Sequence, residues 1–181
     1  WLPTPIDLGD KVRVSCVACG PWHTAVVCQR GGLYTWGQGT FGALGHGDLK
    51  PQGRPRRVER LAGYRSVTVS AGAWHTAAIV AAPSDRWPSE RCEGHLPGTP
   101  STPTTHAGGH FWLYTWGDGS HGKLGHGDEK KRLVPEQVLA LGSESIVRVA
   151  CASYHTVGVG DDGKMWTWGR HSEGRLGRPT A

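Results

Sequence analysis

Three histidines carry the first hint of chemistry. His23, His75 and His155 sit in Gly20-Pro21-Trp22-His23-Thr24, Gly72-Ala73-Trp74-His75-Thr76 and Ala152-Ser153-Tyr154-His155-Thr156. An imidazole can act as general base or metal ligand. Each of these, however, occurs once per copy of a repeated pattern, and a side chain serving every copy alike is better explained as a hydrogen-bonding tie to backbone. His46 and His126 fall under the same reasoning, and Asp48 and Asp128 read as turn residues bonding nearby amides. A calcium-loop reading of residues 118–129 fails at the sixth position, where Lys123 replaces the required glycine. Cys16-x-x-Cys19 is the one zinc or redox cue, but Cys28, Cys92 and Cys151 supply no second pair at matching spacing. Cys19, Ala71 and Cys151 each stand four residues before a shared histidine, so that position is expected to be a small core site.

The glycine rhythm Gly37, Gly39, Gly42, Gly45 and Gly47, repeated at Gly117, Gly119, Gly122, Gly125 and Gly127, imitates a phosphate-cradling loop. No Lys-Ser/Thr follows and no helix begins there, so turn geometry is the expected role. Neither a nucleophile elbow nor a His-Glu-x-x-His is present. The expectation is a protein without catalytic chemistry, cofactor or metal.

What must position these residues is a repeat. Each histidine block precedes a second one, Leu33-Tyr34-Thr35-Trp36-Gly37, Leu113-Tyr114-Thr115-Trp116-Gly117 and Met165-Trp166-Thr167-Trp168-Gly169. Thirteen positions separate His23 from Trp36 and His155 from Trp168, and 39 separate Trp36 from His75 and Trp116 from His155. The unit is 52 residues, and the 41 positions between His75 and Trp116 mark an insertion of 28. That segment, residues 83–110, carries five prolines and is expected to be a disordered surface loop within the middle repeat.

With 28 glycines and 12 prolines in 181 residues, long helices are excluded, while a 37% hydrophobic share and nine tryptophans exclude general disorder. Short strands remain. Residues 12–16, 67–71 and 147–151 alternate as half-buried strands; 25–27, 77–80 and 157–159 are apolar on both faces, as central strands are. Residues 33–36 and their counterparts give a third strand, and 56–60 and 135–139 a polar, outer fourth. The fold class is all-β, a partial β-propeller of about three four-stranded antiparallel blades. Leu44 and Leu124 are expected to plug the core between blades, with Trp36, Trp116 and Trp168 inside each blade.

Gly-x-x-His-Thr, Tyr-Thr-Trp-Gly and Gly-x-Leu-Gly-His-Gly-Asp together resemble the repeat of the regulator of chromosome condensation family. Three spaced copies cover nearly all of residues 1–181 outside the insertion. The resemblance implies a seven-bladed parent, of which this chain is expected to be an incomplete piece. Within the family, the Gly-Pro-Trp-His-Thr block is most similar to plant propellers joined to lipid-binding domains. The structural repeat positions it implies are Gly20, His23, Thr24, Trp36, Gly37, Leu44, Gly45, Gly72, His75, Thr76, Trp116, Gly117, Leu124, Gly125, His155, Thr156, Trp168 and Gly169.

Net charge is +5, and Arg54, Arg56, Arg57, Arg60, Arg65, Lys130, Lys131 and Arg132 follow the two Gly-His-Gly-Asp strings. A basic rim for an acidic partner is the functional expectation, an ordinary solvated loop the alternative. The partner classes are a protein, including a small GTPase or chromatin, or a phosphoinositide surface. Five cysteines without an apolar signal or spanning segment favour an intracellular, cytoplasmic or nuclear, setting. The first functional reading is a non-enzymatic interaction scaffold; guanine-nucleotide exchange on a Ras-like GTPase is its alternative. Ultraviolet-B sensing, which the family also implies, lacks the Gly-Trp-Arg-His-Thr block it would need.

Overall fold

A computed structural model describes residues 2–9, 12–81 and 109–179. Among these residues, eleven strands make three antiparallel sheets. The first sheet is β1 (Val14–Cys19), β2 (His23–Cys28), β3 (Leu33–Gly37) and β4 (Gln52–Arg57), in that order. The second repeats it with β5 (Arg65–Ala71), β6 (His75–Ala81), β7 (Phe111–Gly117) and β8 (Arg132–Gln137). The third, of β9 (Ile146–Cys151), β10 (His155–Gly160) and β11 (Met165–Gly169), has three strands among the described residues rather than four. Other short elements are single 3-10 turns.

The sheets stack because strand side chains alternate. On β6, Ala78 and Val80 join Ala25, Val27, Leu33 and Val58 of the first sheet, while Ala77 and Ile79 face Ile146 of the third. Ala77, Ala78, Ile79 and Val80 are therefore all fully buried. Burying a side chain the size of Ile79 or Leu113 contributes about 1.5–3 kcal/mol, so these two clusters hold the blades together. The same alternation leaves Val17 63% exposed on β1, while its counterpart Val69, covered by the first sheet, is 5% exposed.

The outer strands start earlier than the sequence indicates. β4 and β8 begin at Gln52 and Arg132, and Glu59–Leu61 and Leu139–Leu141 are 3-10 turns. Val58 and Val138, expected within the outer strands, instead precede these turns and point into the core, at 1% and 2% exposure. An edge strand pairs on one side and needs no apolar face, so Gln52–Arg57 gives no periodic signal. The insertion falls mostly outside the described residues. At its root the β6–β7 hairpin adds the pairs Val80↔Trp112 and Ala81↔Phe111, whereas β2–β3 ends at Val27↔Leu33. His110, at the end of the insertion, donates through Nε2 to the Gly142 carbonyl at 3.1 Å.

Candidate functional site

Two of the repeated histidines, His23 and His75, lie between blades. His23 Nε2 lies 2.8 Å from Thr76 Oγ1 in the next blade, and that hydroxyl donates to the Ala43 carbonyl at 2.8 Å. A hydroxyl has one proton, already given to Ala43, so His23 must donate from Nε2 and is the Nε2-H tautomer. His75, Thr156 and the Lys123 carbonyl repeat the clasp one blade on, at 2.9 and 2.8 Å. Nδ1 of each ring is buried without a partner. A second proton there would be unsolvated, and burial lowers His23 to about 4 and His75 to about 3. Both are neutral clasps.

Glycines make room for them. Gly20 lies against the next blade so closely that a Cβ would collide with the Gly72 carbonyl oxygen, and Gly72 meets Ala152 the same way. Gly37, at φ 105°, has the Trp22 carbonyl and His23 Cα within 2.8 Å of a would-be Cβ.

A second set of histidines works within blades. His46 Nε2 donates to Thr35 Oγ1 at 3.1 Å, which donates to the Leu44 carbonyl at 2.7 Å; His126, Thr115 and Leu124 match them at 3.0 and 2.7 Å. Arg178 replaces the histidine in the third blade and bonds the Thr167 carbonyl at 3.3 Å. Leu44, Leu124 and Leu176 are buried. Trp116 is fully buried and donates to the Ala43 carbonyl at 2.8 Å, while Trp36 and Trp168 are half-buried.

The cysteine cue dissolves. Cys16 and Cys19 are three apart on β1, hence on opposite faces; Cys16 Sγ contacts Thr68 Oγ1 at 3.4 Å. Cys19 is exposed rather than a small core site, because no described sheet packs on that side of β1. Cys151, at the matching position, is an inert thiol pushed up to about 12 by burial. No cluster of metal-binding side chains exists among the described residues. At residues 118–129 the cation is internal: Lys123, fully buried, puts its ammonium on the Asp118 carboxylate and 2.7 Å from Ser120 Oγ.

The basic residues do not form one rim. Gln52 and Arg132 pair with Gly37 and Gly117 at the histidine end of the blades, whereas Arg57 pairs with Tyr34 toward the other end. Arg54, Arg56, Arg57 and Arg60 thus run down the outer edge of the first blade, while Lys130 and Lys131 stay at the histidine end of the second. Arg132 is held by Asp128 at 3.0 Å and Glu136 at 2.7 Å, and Arg56 lies 3.8 Å from Asp48.

What the histidine end presents is aromatic, and sequence reasoning missed it. Trp22, 52% exposed, stacks on Trp74 at 5.4 Å, and Phe41, 41% exposed, meets Trp74 edge-on at 5.7 Å. One blade on, His121 meets Tyr154 edge-on at 5.9 Å, with Arg170 5.3 Å above the same ring. Phe41, His121 and Glu173 occupy equivalent turns with φ of 59°, 60° and 63°, a left-handed conformation rare outside glycine. Each turn projects a side chain from the end of the blade. The available signal was an aromatic residue before each histidine, in a turn rather than a strand.

Residues 30–79 and 113–159 match one model of the Regulator of chromosome condensation (RCC1) repeat, and 14–43 and 146–175 a second. The Ultraviolet-B receptor UVR8 of Arabidopsis thaliana is 34% identical over 177 residues, 98% of this chain and 34% of the receptor. The E3 ubiquitin-protein ligase HERC2 of Homo sapiens is 32% identical over 205 residues, 98% of this chain and 4% of the ligase. The chain thus spans about a third or less of the length of either relative. Among solved structures, Prp20p from Saccharomyces cerevisiae matches with TM-score 0.62 at 20% identity, over 91% of this chain and 34% of Prp20p. Repeat models, blade topology and clasp spacing converge: this chain belongs to the Regulator of chromosome condensation (RCC1) repeat family.

Proposed function

We propose that this chain is a non-enzymatic interaction module whose histidine-end face recruits a protein partner. The observation that carries it is the ridge in which exposed Trp22 and Phe41 pack on half-buried Trp74, aromatic surface that no core contact requires. The clasps occupy His23, His75, Thr76 and Thr156, which favours a structural over a reactive role for the repeated pair.

Guanine-nucleotide exchange is the second reading. Prp20p is described with its binding to Gsp1p and histones, which keeps a small GTPase or chromatin among the partner classes. The ligase chemistry named for HERC2 does not transfer, since this chain matches 4% of that protein. No helix among the described residues is long and apolar enough to cross a membrane. The free thiols Cys16, Cys19, Cys28 and Cys151 fit a reducing intracellular setting, cytoplasmic or nuclear.

The test places a photo-crosslinking residue at position 22 on the ridge or at position 139, where Leu139 is 79% exposed near the opposite end, in the polypeptide that carries this chain. Protein adducts from position 22 alone support the module; equal labelling at both positions sinks it. Accelerated nucleotide release from any of a panel of small GTPases replaces scaffolding by exchange.

A further inference from the structure

The ridge has a charge as well as a shape. A Cβ on Gly39 would collide with the Lys50 carbonyl oxygen, and one on Gly119 with that of Lys130. Lys50 and Lys130 therefore sit at the roots of the turns that carry Phe41 and His121. Lys50, Lys130 and Lys131 are exposed, and Arg170 lies over Tyr154. The carboxylates of these turns are largely occupied. Asp48 accepts from the Lys50 amide at 2.9 Å, Asp118 holds Lys123, Asp128 holds Arg132 at 3.0 Å, and Glu173 holds Arg175 at 3.1 Å. Glu129 is the carboxylate of these turns without a described ion pair. Lys50, Lys131 and Arg170 have no ion pair among the described residues, and Lys130 feels only the Asp128 carboxylate that Arg132 already holds, so the face carries an excess of positive charge around an aromatic row.

We propose that this face docks an acidic linear segment of a partner protein, one carrying an aliphatic or aromatic anchor between its carboxylates. The proposal rests on the interaction-module reading and names the chemistry of its partner. The anchor lies on the open face of Trp22 and the exposed edge of Phe41, and the carboxylates meet Lys50, Lys130, Lys131 and Arg170. The row crosses successive blades instead of closing into a pocket, which suits an extended chain. Single-stranded nucleic acid is the poorer fit: it needs successive open stacking platforms. Here Trp74 is covered by Trp22 and approached by Phe41, so Trp22 alone of the pair offers a free face.

Left-handed turns support the assignment. Phe41 and His121 hold strained backbone whose effect is to aim a side chain out of the face, and strain kept at equivalent sites marks a surface with a use.

The experiment is fluorescence anisotropy of the carrying polypeptide with three labelled probes: a peptide alternating Asp/Glu with Leu/Phe, its Asn/Gln counterpart, and oligothymidylate. The acidic peptide is expected to bind, more weakly as salt rises. Affinity should fall about tenfold or more in Trp22→Ala, an exposed anchor, and to a similar degree in Lys130→Glu/Lys131→Glu. Unchanged melting temperatures confirm that both variants fold. Equal binding of the Asn/Gln peptide, preference for oligothymidylate, or indifference to charge reversal overturns the proposal. If the acidic peptide fails while position 22 still crosslinks to protein, the module reading stands and the acidic partner falls.

Discussion

Two blade interfaces in this molecule share one clasp and differ in what surrounds it. At the first, the Ala43 carbonyl accepts from both Thr76 Oγ1 and Trp116 Nε1, each at 2.8 Å. At the second, the Lys123 carbonyl accepts from Thr156 at 2.8 Å, while Trp168 Nε1 is buried without a partner. The alanine side chain of the first interface is a buried lysine in the second, neutralised by Asp118, where the first blade has Gln38. The clasp is thus the invariant part of the joint. Its surroundings tolerate a full change of polarity provided the new charge arrives with its counter-charge.

The largest test strikes both clasps together. His23 and His75 are depressed from 6.5 to about 4 and about 3, so the unfolded chain binds protons that the native one refuses. Their contribution is fully present above pH 6.5 and is lost as pH falls from there through about 4 and then about 3. At about 1.4 kcal/mol per pKa unit, the total is of the order of several kcal/mol. Burial lowers half-buried His46 and His126 in the same direction, so single variants are needed to separate the sites. Urea midpoints should drop steadily from pH 6.5 to 4 and flatten in His23→Gln and His75→Gln. A wild-type midpoint constant over that range would refute the neutral clasp.

Next comes the buried ion pair. Burial would raise the Asp118 carboxyl, but its bonds from the Lys123 ammonium and from the Ser120 hydroxyl and amide prevail and hold it below the usual range. Lys123→Ala strands that carboxylate, a loss of about 2–4 kcal/mol, tempered because Asp118 keeps some contact with water. Lys123→Ala with Asp118→Gln rebuilds the first interface's residues and should recover most of it. Denaturant titration of this cycle measures the pair, and equal loss in the single and double variants would show that the charges are not coupled.

The sequence made the repeat and its core strands legible because both are local signals: spacing locates the blades, and period-two alternation locates strands such as β5 and β6. The partners of the clasp were hidden, since His23 reaches a threonine 53 residues away and nothing in the chain says which neighbour a blade packs on. The ridge was hidden for a different reason. Trp22 and Trp74 look like any other buried aromatic until their turn places them outside, and Phe41 gives no sign of its positive φ. The outer strands were expected at 56–60 and 135–139 but begin earlier, because Pro55 and the arginines of β4 carry no alternation to mark the start.

The tryptophans give a smaller, sharper contrast. Trp116→Phe removes a satisfied buried hydrogen bond to Ala43 and should cost about 1 kcal/mol beyond the loss of ring volume. Trp168→Phe removes a buried N–H that bonds nothing, so the ring-volume loss is offset by relief of an unmet donor. The ordering of the two variants in a thermal melt is the readout. Equal destabilisation would mean that the Ala43 carbonyl gains nothing from its second donor.

The smallest effect concerns the left-handed turns. Glu173 holds φ 63° and, among the described residues, bonds Arg175 across 3.1 Å on an exposed surface, a pair worth little. Glu173→Gly should therefore stabilise the chain by about 0.5–1 kcal/mol, because the strain of a non-glycine residue there outweighs the lost ion pair. Phe41 has the same φ within a few degrees but also meets Trp74 edge-on, so Phe41→Gly loses an aromatic contact of about 0.5–1.5 kcal/mol and should come out neutral or destabilising. Paired denaturation curves separate the two outcomes. If Phe41→Gly stabilises as much as Glu173→Gly, the edge contact is without energetic weight, and the ridge is a row of neighbours instead of a packed surface.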